Sequence, residues 1–242
     1  MPASAARAAT QVVGNDVASA DDSAADRVVV AVRLRPWISP SDGAIVPADR
    51  ARCVVKINES TTEVVDLRTN VLRGRFTYDE CFDSFSPGRP GFADQQDIFD
   101  ALAPPLLRSA VDGYNVTVFA YGQTASGKSY TMLGTPEAPG FIPRFVDALY
   151  AAVHTAPTEN TSARSVECAF EASYLEIYME QIRDLLNPGR MPPPRPTGGG
   201  GGAFSTISQR AIAPPLRVRE HPVTGPYVED LAKIACTSSS QV

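Results

Sequence analysis

Between Gly122 and Ser129 the sequence reads GQTASGKS, which satisfies the spacing G-x-x-x-x-G-K-[ST]. A chain of phosphates needs many converging donors and little bulk around it, and these residue types supply both. Gly122 and Gly127 let the backbone take unusual dihedrals and come close to phosphate oxygens. Gln123, Thr124, Ala125 and Ser126 lie between them and carry successive amides. Lys128 adds a point charge for the outer phosphates, and the hydroxyl of Ser129 is a candidate ligand for Mg²⁺, the metal that accompanies a nucleoside triphosphate. The alternative reading is a plain glycine-serine turn that holds nothing.

Such a loop works only between a buried strand and a helix start, and both are present in the pattern. The apolar run YNVTVFAYG (114–122) reads as a strand buried on both faces. A plausible helix N-terminus follows, with its positive end toward the loop. Upstream, RVVVAVRLRPW (27–37) reads as a strand ended by Pro36, and shorter β-like runs lie at 53–58, 63–67 and 75–82. Ile98, Leu102, Leu106 and Ala110 make a helical stripe within 93–111, which Pro104 and Pro105 are expected to break or kink. Residues 140–154 read as a helix with Ile142, Phe145, Leu149 and Val153 on one side. Residues 165–186 begin as a strand and pass into a short helix near Gln181, and 215–231 suggest two strands around a turn at Thr224, Gly225 and Pro226. The expected architecture is α/β, with a central sheet holding strands near 28–34, 114–121 and 168–178 and helices on both faces.

A net charge of −5 over 242 residues gives no global basic field, so the charge balance calls for neither nucleic acid nor an anionic membrane. Cys53, Cys81, Cys168 and Cys236 form no C-x-x-C pair and only two histidines accompany them. Buried or half-buried reduced thiols are expected, not zinc. No run of about 18 apolar residues and no signal-peptide core is found, which points to a soluble, non-secreted chain. Residues 1–26 are dominated by Ala, Ser and Asp and are expected to be a disordered tail. With one Arg (Arg7) against four Asp, that tail does not read as a mitochondrial address. Residues 188–209 lie within a proline cluster followed by five consecutive glycines, read as a flexible surface insertion.

Six segments in order resemble the N-terminal portion of the kinesin motor domain: VAVRLRPW (30–37), FTYDECFD (76–83), DGYNVTVFAYGQTASGKSYTMLG (112–134), GFIPR (140–144), SYLEIYMEQIRDLL (173–186) and LRVREHPVTGPYVEDL (216–231). The resemblance covers about 27–240. It implies a P-loop NTPase fold with a central mainly parallel or mixed sheet, C-terminally incomplete, making 27–242 a partial motor domain. It further implies ATP or ADP with Mg²⁺ as ligands, microtubules as partner, and a cytoplasmic, cytoskeletal location. Carried over by residue, Arg33, Arg35 and Pro36 lie near the adenine, and Tyr130 stacks on its other side, a task that guanidinium and phenol groups can perform. Without the family, Arg33 and Arg35 would read as solvated strand residues. Ala125 and Met179 stand at places where this chain varies from the family, and Pro104 is an additional proline.

Hydrolysis also needs a sensor of the terminal phosphate and a group that positions water. The family uses N-x-x-S-S-R-S-H and D-x-x-G for these, and neither occurs among the 242 residues. The expectation is a fragment, a truncated gene product or a degenerate motor, with ATP binding coupled to microtubule movement in the complete protein. The competing readings are an inactive motor-derived nucleotide-binding or scaffold protein and an unrelated P-loop phosphotransferase. The second leaves RLRP and SYLEIY unexplained. A GTPase is disfavoured because no N-K-x-D element appears.

Overall fold

Ala31, Val32, Arg33 and Leu34 are consecutive and all buried, so the strand carrying them is covered on both faces. The computed structural model describes residues 9–16, 27–39, 41, 43–46, 53–154, 168–187 and 215–242. They fall into two units, Met1–Ala163 and Arg164–Val242.

In the first unit the strands are β1 (Ala9–Asp16), β2 (Arg27–Leu34), β3 (Val55–Asn58), β4 (Thr61–Val65), β5 (Leu72–Thr77) and β6 (Glu80–Asp83). Helix α1 (Gln95–Val111), strand β7 (Phe119–Tyr121), helix α2 (Lys128–Met132) and helix α3 (Phe141–His154) follow. The principal sheet has the order β6-β2-β1-β7 and is mixed. β2 runs parallel to β6, pairing Val32 with Cys81, while β1 is antiparallel to both β2 and β7. A separate antiparallel sheet has the order β3-β4-β5.

Within the stretch 1–26, read from the sequence as a disordered tail, the structure describes Ala9–Asp16 as strand β1. Its local composition is poor in apolar residues, yet a strand with neighbours on both sides satisfies its backbone groups through the ladder, which a local reading does not see. Residues 1–8 and 17–26 lie outside the described residues, as does the whole of the predicted insertion at 188–209.

Helix α1 begins at a capping box. The Asp94 carboxylate accepts from the amides of Gln96 and Asp97, and the Asp97 carboxylate accepts from the Asp94 amide at 2.8 Å. The helix then continues through Pro104 and Pro105, where a break or kink was expected. Each proline removes a donor, but the inward stripe Ile98, Leu102, Ala103 and Leu106 stays buried. At about 1.5–3 kcal/mol for each large apolar side chain, that burial outweighs the penalty. The stripe meets Ala31 from β2, Phe82 from β6 and Phe141 from α3 in one core.

The second unit contains β8 (Phe170–Ala172), β9 (Leu175–Tyr178), β10 (Gln181–Asp184), β11 (Val218–His221), β12 (Gly225–Val228) and β13 (Ile234–Cys236). They form three two-stranded antiparallel pairs: β8 with β13, β9 with β10, and β11 with β12. Residues 168–178 therefore do not join the principal sheet, contrary to expectation. The helix expected near Gln181 is strand β10. Met179 and Glu180 both have positive φ, 48° and 63°, and close a two-residue hairpin between Tyr178 and Gln181. The β11–β12 hairpin matches its prediction, with Gly225 and Pro226 placed in β12 instead of in the turn.

Cys53 and Cys81 are half-buried, and burial pushes both thiols above their ordinary range. Cys236 is buried, whereas Cys168 is exposed, against expectation. Among the described residues no helix is long and apolar enough to cross a membrane.

Candidate functional site

The loop from Gly122 to Gly127 leaves the end of β7 and feeds directly into α2, the strand-loop-helix order that the spacing predicts. Three of its residues hold backbone angles that a plain loop avoids: Gly122 at φ 159°, Ala125 at φ 62° and Gly127, which caps α2, at φ 101°. Gly127 in the left-handed region turns the chain into the helix, and a side chain there would be strained. Ala125 takes such an angle despite its methyl group, a local strain of order 1 kcal/mol or more. Only Ser126 of this stretch is buried, while Gln123, Thr124, Ala125, Ser129 and Tyr130 are exposed.

Lys128 donates from Nζ to the carbonyl oxygens of Gly122 at 2.9 Å and of Gln123 at 2.8 Å. Its ammonium is folded over its own loop and, among the described residues, makes no ion pair with a carboxylate. The first amides of α2 have no intrahelical acceptor, and they adjoin the half-exposed Lys128 in sequence. That donor set fits a phosphate chain, and the adjacent Ser129 hydroxyl fits a magnesium ion associated with it.

Behind the loop lies a polar cluster that sequence reasoning only partly anticipated. Arg33, 5% exposed, donates from Nε to Ser84 Oγ at 2.9 Å and from Nη1 to Gln95 Oε1 at 2.7 Å and Thr131 Oγ1 at 3.0 Å. Its guanidinium carbon lies 5.2 Å from the centroid of the Tyr130 ring. Removal from water lowers the Arg33 pKa to about 10, opposed by nearby Tyr130 and Asp94, so the group remains a cation at neutral pH. Gln95 turns its amide nitrogen the other way and donates to the Tyr130 carbonyl at 2.7 Å and the Ala138 carbonyl at 3.4 Å. Ser84 in turn donates to the Ala93 carbonyl at 2.5 Å.

The sequence expected Arg33 and Tyr130 on opposite sides of a base; in the structure the Arg33 guanidinium lies directly against the Tyr130 ring. The fold also commits the Arg33 guanidinium to protein partners, where a solvated strand residue or a free base contact would leave it open. Arg35 is half-buried, and its Nη1 donates to the Pro36 carbonyl at 3.3 Å. Its Nε is buried with no acceptor among the described residues. Among the described residues no hydrogen bond connects Arg35 or Pro36 to the loop. Ser84, Gln95 and Thr131 were missed because each is a single polar residue at a position where only the tertiary fold decides between water and the interior. The one local signal was Gln95 itself, a polar side chain next to the Asp94 cap with a chain long enough to reach inward.

These features define a P-loop nucleotide-binding fold. The kinesin motor domain family profile matches residues 33–242. The chain belongs to the kinesin motor domain family. It is 37% identical over 214 residues to the kinesin-like protein unc-104 of Caenorhabditis elegans, covering 87% of this chain and 12% of that protein. It is 40% identical over 218 residues to the kinesin-like protein KIF14 of Mus musculus, covering 89% of this chain and 11% of that protein. Among solved structures, a KIF14 dimer with AMP-PNP in complex with a microtubule superposes with a TM-score of 0.64 at 38% identity, over 87% of this chain and 50% of that one. A KIF14 structure with ADP in complex with a microtubule gives 0.63 at the same identity, over 51% of its chain. The chain therefore spans about half the length of these solved motor chains and about a tenth of those curated relatives.

Proposed function

We propose that the loop 122–129 binds an adenine nucleotide and that the protein is the nucleotide-binding part of a microtubule motor. The observation that carries the first half is Lys128, an ammonium held, among the described residues, by two carbonyls of its own glycine loop at the start of a helix. Such an arrangement exchanges readily for phosphate oxygens, which offer charge as well as acceptors. The amides from Gln123 to Ser129 would hold the phosphates, Ser129 would hold Mg²⁺, and the exposed face of Tyr130 would stack on the base. Magnesium would neutralise phosphate charge when bound. Arg35 and Pro36, which follow β2, are proposed to border the base.

The second half rests on the family. The AMP-PNP and ADP structures it resembles are motors in complex with microtubules, so tubulin is the proposed partner and the cytoskeleton of the cytoplasm the proposed location. Titration of the full chain with Mg-ADP and Mg-ATP tests the nucleotide site. Lys128→Ala is expected to weaken both by about ten- to hundredfold, the loss of one charge-assisted contact of roughly 1.5–3 kcal/mol. Unchanged affinity in that variant overturns the assignment.

A further inference from the structure

We propose that Arg33 and Gln95 are positioning residues for base recognition: they act through Tyr130, holding the first turn behind the phosphate loop so that the Tyr130 ring is presented to the nucleotide. This rests on the nucleotide reading of the loop given above, and it assigns Arg33 a supporting task in place of direct contact with the base.

The geometry is that of a two-link strut. Strand β2 supplies Arg33, whose guanidinium is buried and takes acceptors from three separate segments: Ser84 after β6, Gln95 on α1 and Thr131 on α2. A guanidinium has a rigid fork of donors, so three partners fix its plane as well as its place. Gln95 extends the connection, because one end of its amide accepts from Arg33 while the other donates to the backbone carbonyl of Tyr130. Tyr130 is thereby held at two points, its carbonyl by Gln95 and its ring by the cation 5.2 Å from its centroid. Tyr130 is 43% exposed as a residue while its ring lies beside the protein cation, which leaves part of it open to a ligand. α2 spans only Lys128–Met132, too short to hold its own direction by helical hydrogen bonds. Its orientation must come from tertiary contacts, and the buried, hydrogen-bonded partner of Thr131 is Arg33.

Arg33→Lys keeps the charge but loses the fork of donors that reaches three acceptors, and Gln95→Met keeps the volume but takes one acceptor from the buried Arg33 cation, so the folding of each variant is checked by circular dichroism and Tm before binding is read. Two probes separate base from phosphate: Mg-ATP and Mg-tripolyphosphate. Gln95→Met is expected to lower ATP affinity about tenfold, the order of one lost stacking contact, while tripolyphosphate affinity stays within about twofold. In a Tyr130→Ala background, Gln95→Met is expected to change ATP affinity no more than about twofold, since residues that act through one another are not additive. Equal losses for both probes, or full additivity with Tyr130→Ala, overturn the proposal. Amide hydrogen exchange supplies a readout without ligand. The amides of Thr131 and Leu133, bonded to Gly127 and Ser129 carbonyls at 2.9 and 2.8 Å, are expected to exchange faster in Gln95→Met, with those of β4 unchanged as an internal reference. If the wild-type chain binds neither probe, the nucleotide reading fails and base recognition with it. Unaltered exchange at Thr131 and Leu133 would instead refute the strut while leaving nucleotide binding intact.

Discussion

Asp184 accepts the backbone amide of Ala232 through Oδ2 at 2.8 Å, tying the end of β10 to the turn before β13 across 48 residues of sequence. Its other oxygen accepts from the amides of Leu186 at 3.0 Å and Asn187 at 3.2 Å. One buried carboxylate thus satisfies three amides within the second unit. Asp184→Asn is expected to destabilise that unit by about 1–3 kcal/mol, because an NH₂ group must face at least one of the donors. Asp184→Ala removes all three acceptors and should cost at least as much. Urea unfolding monitored by far-ultraviolet circular dichroism checks both, and a midpoint unchanged in either variant would contradict the role given to this residue.

The turn between β4 and β5 has a distinct acid sensitivity. The Asp66 carboxylate, bonded by Arg73 at 2.5 Å and by the amides of Arg68 and Thr69, is lowered from 3.8 to about 2, with the Arg73 hydrogen bond the largest cause. A carboxyl whose folded pKa is depressed stabilises above its unfolded value and loses that contribution as protons bind. The turn should therefore hold at pH above about 4 and loosen between about 4 and 2. Hydrogen exchange of the β4–β5 hairpin across that range should show the change in the native chain. In Asp66→Asn the dependence within this window should flatten.

Gly134 follows α2 at φ 76°, and a Cβ there would run into the carbonyl oxygen of Ala138 and the amide of Gly140. These atoms belong to the short connection between α2 and α3, which is closed by Gly140 N–H donating to the Leu133 carbonyl at 2.9 Å. Backbone atoms cannot step aside as a side-chain tip can. Gly134→Ala should lower stability by about 1–3 kcal/mol, read as a drop in Tm. A thermal midpoint equal to wild type would show that the connection has more freedom than its geometry indicates.

What could be read from the residues, and what could not, divides by the range of the forces involved. The loop 122–129 was legible because its chemistry demands particular residue types at fixed spacing. Helix α3 was legible because its apolar residues repeat with the helical period. The prolines do not break α1, because their penalty is local while the burial that outweighs it involves Ala31, Phe82 and Phe141, distant in sequence. Met179 and Glu180 were misjudged for a related reason, since neither is a preferred residue for positive φ and only the β9–β10 ladder forces them there. Arg33 shows the same limit within the site. Alternation placed it on the polar face of a strand, and nothing local announced that Ser84, Gln95 and Thr131 would meet it in the interior.

The last prediction separates binding from turnover. Lys128 and Ser129 are proposed to hold phosphates and magnesium, but cleavage also requires a group that orients the attacking water. The 242 residues contain neither N-x-x-S-S-R-S-H nor D-x-x-G, the two segments expected to sense the terminal phosphate and place that water. Nucleotide affinity and hydrolysis should therefore come apart in this chain. Mg-ATP should bind in a Lys128-dependent way, while phosphate release should not rise when microtubules are added. The measurement is a phosphate-release assay on residues 1–242, with and without polymerised tubulin, run beside Lys128→Ala. Microtubule-stimulated release that disappears in Lys128→Ala would place the water-orienting group among side chains assigned here to structure. Gln123 and Thr124, exposed polar side chains of the loop itself, would then be replaced first.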